Sequence, residues 1–166
     1  MVSLIKPSDI SQRTNINGNV DVSSYGYFIR EAQKFILEPL LGVKLYKKIE
    51  ADFKTNSLTG NYKELYENYI INILCFQVAH DFLEIHSFQV GSGGLFKLNP
   101  ENGTAVDKPE VDYLANKYLS KSDVYIKRMI NFLCDVKLPE YTQEQEHKYD
   151  IKPSTNNPYI GGWKLK

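Results

Sequence analysis

Tyr69-Ile70-Ile71-Asn72-Ile73-Leu74-Cys75-Phe76-Gln77-Val78-Ala79-His80-Asp81-Phe82-Leu83 is apolar almost all the way round a helical wheel. A helix with that pattern belongs at the centre of a bundle, because no face of it is suited to water. Asn72, Gln77, His80 and Asp81 interrupt the run, which makes it a buried helix and not a membrane span. Upstream, Gly60-Asn61 marks its start, with Asn61 and Glu64 spaced as a capping box. The predicted helix runs from about Tyr62 to His86, roughly 37 Å at 1.5 Å per residue.

Working outward towards the N-terminus, Leu45, Tyr46, Ile49 and Phe53 form one face of a helix from about Val43 to Phe53. Its other face carries Lys44, Lys47, Lys48 and Lys54. Before it, Tyr25, Phe28, Ile29, Ala32, Phe35, Ile36 and Leu40 recur at spacings of three and four, which predicts another amphipathic helix. Asp21 is placed to cap it, and Val20 with Tyr25 has the spacing of a hydrophobic staple. Pro39 lacks a backbone donor and is expected to kink or stop the helix near Glu38, with Gly42 ending it. The first twenty residues read as a tether with one short helical turn at Pro7-Ser8-Asp9-Ile10, and a turn at Asn15 to Asn19.

Downstream, Ser87 to Asp107 is a long Gly-rich connection. Leu95-Phe96-Lys97-Leu98 and Thr104-Ala105-Val106, separated by Asn99-Pro100-Glu101-Asn102-Gly103, read as a β-hairpin hinged at Gly91, Gly93 and Gly94. A last long helix starts at Asp107-Lys108-Pro109-Glu110, with Asp as cap and Pro in the first turn. Val111, Leu114, Ala115, Tyr118, Tyr125, Met129, Ile130, Leu133 and Val136 give its apolar face. Ser120 and Asp123 allow a break near Lys121, and Leu138-Pro139 ends the helix. From Glu140 to Lys166 there is no helical period, yet Tyr141, Tyr149, Tyr159, Ile160 and Trp163 punctuate the segment. Aromatic anchors along an extended polar stretch suggest an arm that orders against another surface. The expected architecture is mainly α: a small bundle of four or five helices over residues 1–139, a hairpin-bearing loop at 87–107, and an extended arm at 140–166.

Composition narrows the function classes. In 166 residues, 42% hydrophobic and 24% charged residues fit one ordinary globular domain, and twenty basic against twenty acidic residues give no net charge. A phosphate-gripping protein usually carries a positive excess. Met1 to Pro7 has no apolar core of a secretory signal, so none is expected. Cys75 and Cys134 both fall at apolar helical positions and are expected to be buried, unreactive thiols suited to a reducing compartment. Twelve Tyr, eight Phe and one Trp exceed what a core of this size needs and hint at protein–protein surfaces.

Chemistry-bearing patterns are sparse. His80 and Glu84 are one helical turn apart and His86 is near, but two ligands do not close a metal site. Gly91-Ser92-Gly93-Gly94 lacks the Lys-Ser/Thr ending of a phosphate loop. No serine sits in a nucleophile elbow. Lys117, Lys121, Lys127 and Arg128 give the last helix a basic side, and Lys44, Lys47 and Lys48 do the same earlier. Either face suits DNA or plain solvent. No catalysis, cofactor or metal is expected. A small helical DNA-binding regulator is the competing class, and three arginines (Arg13, Arg30, Arg128) give it few base-reading side chains.

The run Val20-Asp21, Tyr27-Phe28-Ile29, Ala32-Gln33 and then Leu37-Glu38-Pro39-Leu40-Leu41-Gly42-Val43-Lys44-Leu45-Tyr46-Lys47-Lys48-Ile49 resembles the opening of head–tail connector proteins of tailed bacteriophages, in the version found in phages of Bacteroidetes hosts. The likeness covers about residues 4 to 135 and rests on apolar spacing and the Leu-Gly-x-x-Leu-Tyr element; the tail after Pro139 lies outside it. The resemblance implies a non-catalytic virion component of the neck, assembled in the host cytoplasm. Such proteins form a ring, usually of twelve copies, between the portal and the next tail or ring protein, and packaged DNA passes transiently through it. On that reading Leu95, Phe96 and Leu98 of the hairpin and Tyr141, Tyr149, Tyr159, Ile160 and Trp163 of the arm touch partners. Lys44, Lys47, Lys48, Lys121, Lys127 and Arg128 would face the DNA channel, and no membrane is involved.

Overall fold

The long apolar helix sits at the centre of the fold. In a computed structural model describing residues 2–16, 22–86, 88–91, 94–97, 107–141, 159–160 and 163–164, the chain is mainly helical. Among the described residues there are α1 (Pro7–Arg13), α2 (22–41), α3 (Val43–Lys54), α4 (60–86) and α5 (Lys108–Val136), with a further helical turn beginning at 139. Ile70, Ile73, Leu74, Cys75, Val78 and Ala79 of α4 are fully buried. Helix α5 lies antiparallel beside α4. Tyr69 meets Phe132 at 5.1 Å between ring centroids, and Phe76 meets Tyr125 at 5.7 Å and Tyr118 at 6.2 Å. Helix α2 closes the other side through Tyr25 and Phe28, both against Phe82 at 5.0 and 5.8 Å.

Both α2 and α4 contain a π-helical turn, at Ala32–Leu37 and Tyr66–Ile70. The first explains how Pro39 is tolerated. Of the two outcomes expected near Glu38, a kink or a stop, the stop does not occur. The Glu38 N–H instead reaches five residues back to the Gln33 carbonyl, and the helix continues to Leu41. A widened turn ahead of proline relieves the crowding its ring imposes on the preceding turn. The extra residue also shifts the inward face by one position. Ala32 is followed inward by Gln33, Leu37 and Leu41, all buried, while Phe35, expected in the core, is 68% exposed. Gly42, at φ 78°, then ends the helix in a conformation that glycine adopts without strain.

The two π turns hold the N-terminal strap. Leu4, Ile5 and Ile10 are fully buried. The Leu4 N–H donates to Gln33 Oε1 (2.8 Å), and the Tyr66 hydroxyl donates to the Leu4 carbonyl (2.7 Å). Gln33 Nε2 donates to the Val2 carbonyl (2.9 Å) and the Tyr46 hydroxyl (3.1 Å). Burial drives the Tyr66 phenol up to about 12. The short helix expected at Pro7 is present, with the Lys6 N–H donating to Asp9 Oδ2 (2.7 Å). The proposed turn at 15–19 and the Val20 and Asp21 cap lie largely outside the described residues.

Several local expectations are corrected. Helix α4 begins at Gly60 with Thr59 before it, which puts Asn61 inside the first turn, so the Asn61–Glu64 box does not form. Helix α5 runs unbroken past Lys121. The Ser120 hydroxyl donates back to the Asn116 carbonyl (2.9 Å), which satisfies it within the helix instead of starting a new one. At its start the Asp107 N–H donates to Glu110 Oε2 (3.3 Å). Cys75 is buried, but Cys134 is exposed, one position off the Met129–Leu133 stripe.

A strand pair that the sequence reading left out lies just after α4. Phe88–Gly91 (β1) pairs with Gly94–Lys97 (β2), with Gln89 opposite Phe96 and Val90 opposite Leu95. The partner strand expected at Thr104 to Val106, together with Leu98, lies outside the described residues. A second small antiparallel pair joins Tyr159–Ile160 (β3) and Trp163–Lys164 (β4), with Tyr159 opposite Lys164 and Ile160 opposite Trp163.

Candidate interaction surface

The sequence-predicted partner residues separate into three groups. Tyr141, read as the first anchor of the arm, is 8% exposed and belongs to the core, next to Leu138. Its neighbour Glu140 accepts a hydrogen bond from Tyr62 (2.8 Å). Burial, then this bond, moves the Tyr62 phenol to about 12. The helical domain thus extends to 141, beyond the boundary expected at 139, because left-handed Lys137 (φ 51°) turns the chain back onto the bundle. Tyr159, Ile160 and Trp163 lie in the small β3–β4 pair, and Leu95 and Phe96 in β2; Tyr149 is outside the described residues.

The basic residues do not act as one face. Lys48 is ion-paired with Asp52 (2.8 Å) and lies over the Tyr62 ring (5.4 Å). Lys121 covers Phe76 and Tyr118 at 5.4 and 5.3 Å, and Arg128 covers Tyr125 at 5.8 Å. Half of the six side chains expected to face DNA therefore lie on the protein's own aromatic surface, where a cation over a ring face is stabilising. Lys44, Lys47 and Lys127 are exposed.

The residues that the sequence reading did not single out as a surface form a groove between α2 and the C-terminal part of α4. Glu31, Ala32, Phe35, Ile36, Gln77, Asp81, Glu84 and Ile85 line a cavity of about 260 Å³. Its lips are apolar: Phe35 is 68% exposed and Ile85 is 53% exposed. Its charged lining is acidic and pre-arranged. The Tyr27 hydroxyl donates to Glu31 Oε1 (2.6 Å), and Gln77 Nε2 donates to Asp81 Oδ1 (3.1 Å). Desolvation pushes the Asp81 carboxyl above its ordinary range, and the Glu84 and Glu31 charges push the same way. The Gln77 hydrogen bond and His80 oppose this. His80 Nε2 stands 3.9 Å from both Asp81 and Glu84. Of the His80–Glu84 pair read as two possible ligands, Glu84 lines the groove and His80 stands behind it. Among the described residues no group of three or more His, Cys, Asp or Glu side chains is arranged to hold a metal ion. None of the described helices is long and apolar enough to cross a membrane.

A family model covers residues 37–151, more than half of the chain, and the chain belongs to that family of unknown function (DUF6712). No curated protein and no solved structure matches it.

Proposed function

We propose that the chain is a non-catalytic structural subunit of an oligomeric ring in the neck of a tailed phage, joining the head portal to the tail. The observation that carries this reading is the pair of exposed apolar side chains on the α2–α4 groove, Phe35 and Ile85 (68 and 53% exposed). Exposed large side chains grouped with polar neighbours are the usual mark of a protein-contact surface. The resemblance of residues 4–135 to head–tail connectors supplies the kind of assembly. Leu41-Gly42-Val43-Lys44-Leu45-Tyr46, the most specific element of that resemblance, forms the α2–α3 corner, with Leu41, Leu45 and Tyr46 buried.

In this reading the ring has about twelve copies, as the resemblance implies, and the DNA passes through without being gripped. Residues 87–107 and the segment after 141 reach the portal, a neighbour or the next ring. Lys44, Lys47 and Lys127 are the candidates for channel-facing charge. The test is deletion of residues 153–166 followed by co-purification with the cognate portal protein. The truncated chain should keep its helical circular dichroism and nearly its full melting temperature while losing attachment. Nanomolar, sequence-selective binding to duplex DNA at physiological salt would favour the regulator instead.

A further inference from the structure

The α2–α4 groove has a charge and shape that define its occupant. Three carboxylates (Glu31, Asp81, Glu84) line it with no lysine or arginine among them, and Phe35, Ile36 and Ile85 add apolar surface. At about 260 Å³ it is smaller than an ordinary small-molecule pocket of ~300–1,000 Å³, and its lips are uncovered. The groove therefore suits one or two large side chains of a cationic polypeptide segment.

This chain carries such a segment. Residues 152–166 contain Lys152, Lys164 and Lys166 and no acidic residue, with Tyr159, Ile160, Trp163 and Leu165 between them. In the single folded chain Phe35 and Ile85 are still largely exposed. We infer that the groove of one copy receives residues 152–166 of a second copy, with Trp163 or its aromatic neighbour on Phe35 and Ile85 and the lysines beside Glu31, Asp81 and Glu84. The contact is heterologous: each subunit gives one arm and receives one, which is the arrangement that closes a ring without leaving a surface unmatched. The inference rests on the ring-subunit reading and deepens it by assigning the subunit–subunit surface. The mutual repulsion of the three carboxylates, felt at Asp81, is relieved when lysines dock.

The test uses full-length chains and sedimentation velocity across a concentration series. Trp163, the only tryptophan, reports docking directly through its emission. The unaltered chain should associate with rising concentration, with a blue shift of its emission. A groove variant, Phe35→Ser with Glu84→Lys, alters two exposed positions, so its melting temperature should stay within a few degrees of the parent. An arm variant carries Lys164→Glu and Lys166→Glu. Each alone should associate at least tenfold more weakly. A one-to-one mixture should recover association as far as mixed pairs, because the unaltered arm of the first meets the unaltered groove of the second. Should the double groove variant fold poorly, Glu84→Lys alone serves the same purpose. Association unchanged in the groove variant overturns the inference while leaving the ring reading intact. A chain that stays monomeric at every concentration with an already blue-shifted Trp163 also overturns it, because the arm then docks on its own domain. Recovery by mixing, together with no binding to a portal protein, would sustain the groove assignment and remove the phage-neck reading.

Discussion

The strap at residues 2–5 and the groove at Phe35 and Ile85 are shaped by the same π-helical turn from opposite sides. Inside, the turn places the amide of Gln33 where it pairs with Val2, Leu4 and Tyr46. Outside, two residues later, it presents Phe35 to solvent beside Glu31 and Asp81. A regular α-helix with the 25-28-29-32 stripe would continue it at 35, 36 and 40. One added residue buries a polar side chain and exposes an aromatic one. Both moves look unfavourable locally, and each is stabilised by what it meets or is predicted to meet. Gln33 meets otherwise unpaired backbone, and Phe35 is the side chain proposed to receive a partner.

The largest effect that sharpens this contrast belongs to the strap. Leu4→Ala removes a fully buried side chain and should destabilise the domain by about 3 kcal/mol, a fall in melting temperature of roughly 6–12 °C. The same variant has a chemical readout. Burial drives the Cys75 thiol up to about 12, and Cys75 lies close enough to Asp9 and Arg13 of α1 to feel their charges. In the parent, an alkylating reagent at pH 8 should modify exposed Cys134 and leave Cys75 intact. Loosening the strap should accelerate modification of Cys75. A melting temperature and a Cys75 rate both unchanged would break the claim that the strap is part of the core.

The smallest effect belongs to the groove. Asp81 titrates higher in the folded chain than its ordinary value, so between those two values the native state binds more protons than the unfolded one. Its contribution to stability therefore falls as pH rises through that window, and the deficit remains above it. Asp81→Asn removes the deficit. At neutral pH the variant should melt at the parent's temperature or about 1–2 °C above it, and the difference should vanish below the ordinary carboxylate range near 3.9. A variant that is as stable as the parent yet associates less well marks a residue kept for binding. A clear loss of stability would instead place Asp81 among the structural residues of α4.

The sequence carried the bundle but not the surface. The burial of Ile70 to Ala79 and the start of α5 at Asp107 were legible because each depends on neighbours within one helical turn. The π turn at Ala32–Leu37 left two faint signals, Pro39 itself and the Gln33-Leu37-Leu41 spacing, both overridden by the more numerous apolar residues in regular phase. The groove joins residues 31–36 to 77–85, some forty positions apart, and its carboxylates read singly as surface charge or as incomplete metal ligands. Tyr141 was assigned to the arm because Pro139 looks like a terminator. The left-handed turn at Lys137, which returns the chain to the core, has no glycine to announce it. Three of the six basic positions read as DNA-facing also lie over the Tyr62, Phe76, Tyr118 and Tyr125 rings, contacts that depend on aromatic neighbours mostly on another helix or a turn away.

The central claim is that the π turn points Gln33 inward and Phe35 outward, and the melting temperatures of Gln33→Ala and Phe35→Ser, measured side by side, test it most directly. Gln33→Ala leaves the Leu4 N–H without its partner in a buried site, at a cost of about 1–3 kcal/mol for that group alone, so a fall of at least several degrees is expected. Phe35→Ser removes an exposed ring and should move the melting temperature by no more than about 2 °C. The opposite order, with Phe35→Ser strongly destabilising and Gln33→Ala neutral, would mean that the helix keeps its regular phase and that the groove does not exist.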